Sequence, residues 1–225
     1  MKEYVGSCKH ADRVALILFD WDGTLVDSHA LIVRAMQLSF LDCGLQAPSA
    51  AAVQAVIGLS LSIAVDRLTA ATHLQAQVVS AFRVHYRAGE AVLQLYPGVR
   101  ETLDALRQRG YWLGIATGKS KSELMRALAL FALNDYFYVI RTADCTHSKP
   151  HPAMVLECMD ELGVQPDQTS VVGDAVFDMQ MARTAGVRAI GVSYGAASAE
   201  MLGLAGAAQI VHHFPSVLRC FAARA

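Results

Sequence analysis

Residues 14–28 read VALILFDWDGTLVDS. The first six carry no polar side chain, and a short apolar run of this kind suits a strand covered on both faces, as in a parallel sheet. It runs straight into Asp20, Asp22 and Asp27. Carboxylates this close repel, and each resists ionising beside the others. A buried strand that ends in clustered acids needs compensating positive charge, and a metal cation is the first candidate.

Further apolar runs at residues 112–116, 136–140, 169–172, 187–192 and 209–211 are expected to be strands of the same buried kind. Helical spacing fills most of the gaps between them. Val99, Leu103 and Leu106 share one face before Gly110, Leu124 and Leu128 repeat the spacing, and Val155, Met159 and Leu162 precede Gly163. A glycine just past the last apolar position is a helix stop. The alternation predicts an α/β fold, a right-handed, doubly wound parallel sheet with a Rossmann-like core.

One segment breaks the alternation. No strand pattern occurs between His29 and Leu95. Ile32, Ala35, Met36, Ser39, Phe40 and Cys43 fall on one helical face, Leu74, Val78, Phe82 and Tyr86 on another, and residues 61–68 suit a third, shorter helix. The predicted division is therefore a Rossmann-like core of residues 1–27 and 96–225, with an all-helical segment, residues 28–95, inserted after the first strand. The sheet pattern resumes after the Pro97-Gly98 turn.

A chain of 225 residues with 54% hydrophobic residues supports a sizeable core. Its net charge is −1, and no run of Lys or Arg occurs. That argues against nucleic acid as a partner, because phosphate backbones need clustered positive charge. No stretch is long and apolar enough for a membrane span, and the N-terminus shows no apolar signal region. The five cysteines, Cys8, Cys43, Cys145, Cys158 and Cys220, are scattered and form no CxxC. They read as small buried hydrophobes in a reducing compartment, and the expected location is the cytoplasm.

Ligands of open α/β sheets bind beyond the C-terminal ends of the strands. The first strand ends on Asp20 and Asp22, the second on Thr117-Gly118, and the fourth on Gly173-Asp174 with Asp178 following; Lys149 comes between the third and fourth. Each has an ordinary structural reading when taken singly. Asp27 and Ser28 both suit helix N-caps, for Asp27 the preferred reading, and Lys149 suits a solvated loop. Their convergence on one sheet edge is better explained by the chemistry of a phosphate monoester. Asp20 can attack phosphorus, Asp22 can protonate the leaving oxygen, Thr117, Gly118 and Lys149 can hold the phosphoryl oxygens, and Mg²⁺ can shield the repulsion between dianion and carboxylate.

These motifs resemble those of haloacid-dehalogenase-superfamily phosphatases, in the phosphoglycolate-phosphatase-like branch with a helical cap. DWDGTLVD, Thr117, Lys149 and GDAVFD match the family's four motifs in order, and SKPHP, YPGV and the extended GDAVFDMQMARTAGV are typical of the branch. The resemblance implies a Mg²⁺-dependent phosphomonoester hydrolase working through an aspartyl-phosphate on a small phosphorylated metabolite, a phosphoglycolate-like acid or a sugar phosphate. Asp20 is then nucleophile and metal ligand. Asp22 is the acid/base, and its backbone carbonyl a metal ligand. Asp174 is a direct ligand, and Asp178 acts through a metal-bound water or by orienting Lys149. The inserted segment becomes the cap, with the loop around Gly58–Ser60 and Arg34, Arg67, Arg83 or Arg87 as candidate substrate contacts. A phosphomutase is the nearest alternative, and a non-catalytic binding or regulatory protein a more distant one. His147 is a lesser candidate for substrate contact, and His151 reads as a helix-start residue. Oligomeric state is left open by the sequence.

Overall fold

The computed structural model describes residues 14–222, so Cys8 and the N-terminal dozen lie outside the described residues. β1 (Leu16–Phe19) is wholly buried. Its side chains alternate between the two faces of the sheet. Ile17 and Phe19 enter one apolar cluster and Leu16 and Leu18 another. Both faces are covered, so no polar residue is needed to punctuate the run.

β2 (Trp112–Thr117), β3 (Val139–Thr142), β4 (Thr169–Gly173), β5 (Arg188–Val192) and β6 (Gln209–Val211) join β1. All neighbours pair in parallel, in the order β3-β2-β1-β4-β5-β6. The chain starts at the centre, builds outward to β3, and returns to the other side of β1 at β4. The connections after β1 and β4 therefore part in opposite directions, and the crevice between them is where such sheets bind ligands.

Helices cover both faces. α5 (Val99–Gln108) and α6 (Lys121–Leu130) follow four helices described below. They send Leu103, Leu106, Leu124 and Leu128 into the first cluster. α7 (Ala153–Leu162), α8 (Val176–Thr184) and α9 (Ala199–Ala205) send Met154, Met179 and Leu202 into the second. The fold is the α/β, Rossmann-like arrangement that the strand–helix alternation implies.

Between β1 and α5 lie α1 (His29–Asp42), α2 (Ala50–Gln54), α3 (Leu61–Leu68) and α4 (Gln75–Gly89). They enclose an apolar cluster of their own, built on Met36, Phe40, Val53, Val65 and Val78. Val56, Leu59 and Ala64 seat this segment on Ala175 and Phe177 at the start of α8. Its two ends are laced together where the Asp27 amide donates to Gln94 O at 3.0 Å and the Tyr96 amide to Leu25 O at 3.0 Å.

Several local expectations shift. β3 spans Val139–Thr142 rather than residues 136–140. Tyr136 closes a turn onto Leu133, and pairing with β2 runs from Val139 to Thr142. α2 carries no apolar periodicity in the sequence. It is a run of alanines started by Ser49, whose hydroxyl accepts from the Ala52 amide at 3.1 Å. The N-cap of α1 is Ser28, not Asp27, and its side chain makes no cap hydrogen bond. That hydroxyl is used elsewhere. Cys158 and Cys220 are buried as expected, but Cys145 is exposed.

α6 has a start signal that works reciprocally. The Ser120 amide donates to Glu123 Oε2 at 2.9 Å, and the Glu123 amide to Ser120 Oγ at 3.4 Å. Burial works against the Glu123 carboxylate, but the Ser120 hydroxyl and amide outweigh it and hold its pKa below the usual range. A lowered folded-state pKa gives stability that is present above the unfolded value, about 4.3, and is lost as pH falls through the folded value. Ser120→Ala is expected to cost about 1 kcal/mol in denaturant unfolding at pH 7. For Glu123→Gln, the stability gap to the parent should close as pH falls below about 4.

Candidate active site

β1 delivers Asp20 while still paired in the sheet, its amide donating to Val172 O at 2.9 Å. The chain then folds back sharply. The Leu25 and Val26 amides donate to Trp21 O at 3.0 and 3.1 Å, and Gly23 sits in the left-handed region at φ 77°. A side chain at Gly23 would be strained there and would collide with the His29 ring and the Asp174 carboxylate. The glycine of the motif thus lets two acids and a histidine converge.

Asp174, just beyond β4, is fully buried. Its Oδ1 accepts from Thr24 Oγ1 at 2.8 Å, and its Oδ2 from the Ala196 amide at 2.8 Å, with His29 Nε2 3.2 Å away. Asp178, one turn into α8, is also fully buried, and its Oδ2 accepts from the Ala175 amide at 3.0 Å. Asp20, Asp174 and Asp178 each place a carboxylate oxygen within 4.8 Å of the others.

One ammonium runs between two of them. Lys149 Nζ lies 2.8 Å from Asp20 Oδ1 and 2.7 Å from Asp178 Oδ1, and the residue is 1% exposed. It is a buried ion, not a solvated loop lysine. Desolvation lifts the Asp20 pKa well above the usual range, and Asp178 and Asp174 push it further against the pull of Lys149. Asp178 is raised by burial and by Asp174, again against Lys149. Burial opposes the Lys149 charge, but the two aspartates outweigh it and raise its pKa.

Asp22 sits in a different circle. Its Oδ1 accepts from Ser28 Oγ at 2.7 Å and from Tyr86 OH at 3.3 Å, and its Oδ2 lies 2.9 Å from Lys119 Nζ. Burial works against this carboxylate, yet Lys119 and Ser28 hold its pKa below the usual range. Lys119 Nζ also donates to Tyr86 OH at 3.0 Å and lies over that ring, 4.3 Å from its centroid.

Thr117 and Gly118 end β2 and line the same cleft as Asp20 and Asp22. Gly118 is tightly approached, since a Cβ there would strike the backbone of Leu59 and Gly58. The same loop is pinned from the other side, the Ser60 amide donating to Ser148 Oγ at 3.0 Å. The structure therefore brings Asp20, Asp22, Thr117, Gly118, Lys149, Asp174 and Asp178 to one end of the sheet.

Sequence reasoning missed Lys119, Tyr86 and His29. Lys119 lay in view, next to Thr117-Gly118. Tyr86 read as a core position of α4, which its ring is, while its hydroxyl reaches Asp22. His29 carried no signal beyond its place at the start of a helix. Burial opposes its charged form, but Asp174 outweighs that and raises its pKa. Arg34, Arg67, Arg83 and Arg87 are all exposed, and none lines the cleft. Arg83 lies 3.2 Å from Glu123 and Arg67 stacks on Phe177. His147 is exposed, and His151 Nδ1 accepts from the Ala153 amide at the start of α7, as a helix-start residue should.

The donor set suits a hard divalent cation. The ligand atoms are carboxylate oxygens, as Mg²⁺ prefers. Asp20 Oδ2 is buried without a hydrogen-bond partner, a costly state for a carboxylate oxygen that a cation would relieve.

A profile of haloacid dehalogenase-like hydrolases matches residues 17–192, which spans β1 to β5 and every residue of this constellation. The chain belongs to that family. It is 36% identical over 211 residues to "Probable phosphatase IndB" of Dickeya dadantii, covering 90% of this chain and 91% of the relative. It is 33% identical over 210 residues to a phosphoglycolate phosphatase of Yersinia pestis, covering 90% of each. A crystal structure described as a predicted phosphoglycolate phosphatase from Haemophilus somnus superposes with a TM-score of 0.84 at 26% identity, covering 92% of this chain and 97% of that one.

Removing Lys149 should show how much the buried charges depend on it. Lys149→Met is expected to lower stability at neutral pH by about 3–5 kcal/mol, the scale for stranding a buried partner. Asp20 and Asp178 already have raised pKa values, so they take up protons readily as pH falls. The deficit should shrink on acidification, as read by denaturant unfolding from pH 7 to pH 4. A deficit that is constant with pH would contradict the charge argument.

Proposed function

We propose that this haloacid dehalogenase-like phosphatase hydrolyses small phosphomonoesters through a phospho-aspartate at Asp20, with Mg²⁺ as its cation. The observation that carries the reading is the asymmetry of the two aspartates at the end of β1. Asp20 keeps a buried oxygen, Oδ2, without a hydrogen-bond partner, whereas both oxygens of Asp22 are held by donors. The free oxygen suits a nucleophile, and the held carboxylate suits an oriented acid/base.

Asp20, the backbone carbonyl of Asp22 and Asp174 would hold the cation, with Asp178 bracing Lys149 from the far side. When bound, a divalent cation supplies positive charge that favours the carboxylate form of Asp20 and shields it from an approaching phosphate dianion. Thr117, the Gly118 amide and Lys149 then orient the phosphoryl oxygens. An Asp20 oxygen attacks phosphorus, the bond to the leaving oxygen breaks, and Asp22 gives that oxygen its proton. Water next attacks the phosphorus of the acyl phosphate, and Asp22 takes its proton. Inorganic phosphate leaves, and both aspartates return to their starting states.

Residues 28–95 act as a cap domain in this reading. The cleft beneath them has about 70 Å³ of open space, enough for roughly five waters where one needs 10–15 Å³. That scale fits a small ester rather than a polymer. Among the described residues no helix is long and apolar enough to cross a membrane. The four described cysteines are free, which supports a reducing compartment, the cytoplasm.

Asp20→Asn should abolish phosphate release from p-nitrophenyl phosphate, by about 10³-fold or more, while leaving cooperative unfolding intact. EDTA should abolish release by the parent, and Mg²⁺ should restore it. Near-normal turnover by Asp20→Asn, measured on metal-loaded protein, would rule out the phospho-aspartate route.

A further inference from the structure

The cleft is lined mostly by apolar side chains, with Asp20, Asp22, Tyr86, Thr117, Lys119 and Glu123 as its polar members. Above Asp20 and Asp22 its walls are Ile32, Met36, Val53, Val56, Ile57 and Phe82, from α1, α2, the turn after α2, and α4. The cation facing it, Lys119, is already engaged by Asp22 at 2.9 Å and Tyr86 at 3.0 Å. The ionisable group at its rim is an acid, Glu123, itself held by Ser120 and Arg83. The arginines of the inserted helices all point to solvent or to other partners. A second anionic group on the substrate would thus enter apolar walls and meet Lys119 only in competition with Asp22, which is unfavourable.

We infer that the cleft selects phosphomonoesters whose leaving group is uncharged and presents an apolar face, and that it discriminates against small phosphorylated carboxylic acids. This rests on the phosphatase reading above. The polar floor holds what every phosphate ester shares. The walls contribute by removing apolar surface of the leaving group from water, and they reject charge by desolvation.

The test is a matched series, methyl to butyl phosphate against 2-phosphoglycolate and 3-phosphopropionate, with p-nitrophenyl phosphate as the general reporter. Along the alkyl series kcat/KM should rise about fourfold per CH₂, equivalent to ~0.8 kcal/mol, until the space is filled. The carboxylated esters should lie about tenfold or more below the alkyl ester of equal length. Binding of the corresponding alkyl- and carboxyalkylphosphonates, measured by calorimetry, should follow the same order without any turnover. Phe82→Arg and Leu61→Arg each place a cation in the cleft. In either variant the ratio of 2-phosphoglycolate to butyl phosphate should rise about tenfold. Leu61 is half-buried, so it serves where the change at Phe82 impairs folding.

A preference of the parent for 2-phosphoglycolate, with p-nitrophenyl phosphate also hydrolysed, overturns the inference and leaves the phosphatase reading standing. A flat alkyl series overturns it likewise. No phosphate from any ester overturns both.

Discussion

Everything at the end of this sheet depends on one ammonium held between two buried carboxylates. Asp20 and Asp178 lie where water cannot solvate them, and Lys149 Nζ contacts both at under 3 Å. Without it, two like charges would share a low-dielectric pocket with a third, Asp174. The loop that carries Lys149 does a second job through its neighbour, since Ser148 Oγ accepts from the Ser60 amide of the inserted segment. Charge neutralisation beneath the site and closure above it are therefore set by two adjacent residues of one loop.

The remaining imbalance marks the site as functional. Lys149 answers for only part of the negative charge of Asp20, Asp174 and Asp178, and His29 and backbone amides answer for some of the rest. A fold under selection for stability alone would have an apolar interior here. Two aspartates separated by a single residue are also driven apart electrostatically, Asp20 upward by desolvation and Asp22 downward by Lys119 and Ser28 against burial. Neighbouring carboxyls in opposed environments are the usual sign of divided roles. The direction is the reverse of what attack by Asp20 and protonation by Asp22 require. A cation beside the first and a phosphate dianion beside the second would each push the right way, so on the proposed route the arrangement would be competent only when loaded.

The sequence made the sheet legible because buried parallel strands carry no competing signal, and their C-terminal ends point to the site by topology. It made α1, α3 and α4 legible by apolar spacing. It hid α2, whose alanines have no face, and it misplaced β3, where an aromatic run adjoins the strand and belongs partly to a turn. Most candidate side chains found by motif sit at or just beyond strand ends, Lys149 on a loop and Asp178 in α8 excepted. Of those missed, Lys119 also follows a strand end, whereas Tyr86 and His29 reach the site by folding. Tyr86 does so from a helix far along the chain, and His29 only because Gly23 lets the loop close. Ser28 illustrates the limit: its type suits an N-cap, but the half-buried Asp22 carboxylate is the stronger claimant on its hydroxyl.

The division of labour between core and insertion follows from where the polar atoms are. Among the described residues, the core supplies every carboxylate that lines the cleft or joins the buried cluster. The inserted segment, apart from its apolar walls, offers the hydroxyls of Ser28 and Tyr86, which both go to Asp22 Oδ1, and the His29 ring, 3.2 Å from Asp174 Oδ2. Lys119 closes the circle by touching Asp22 and Tyr86 together. If α4 moved away, Asp22 would lose one donor and Lys119 would lose both its hydroxyl partner and the ring beneath it. Asp22, the acid/base of the proposed route, thus keeps all its donors only while the apolar walls cover the cleft. On the proposed route, exclusion of water and alignment of the proton donor follow from the same packing, which would confine chemistry to the state in which bulk water has the least access.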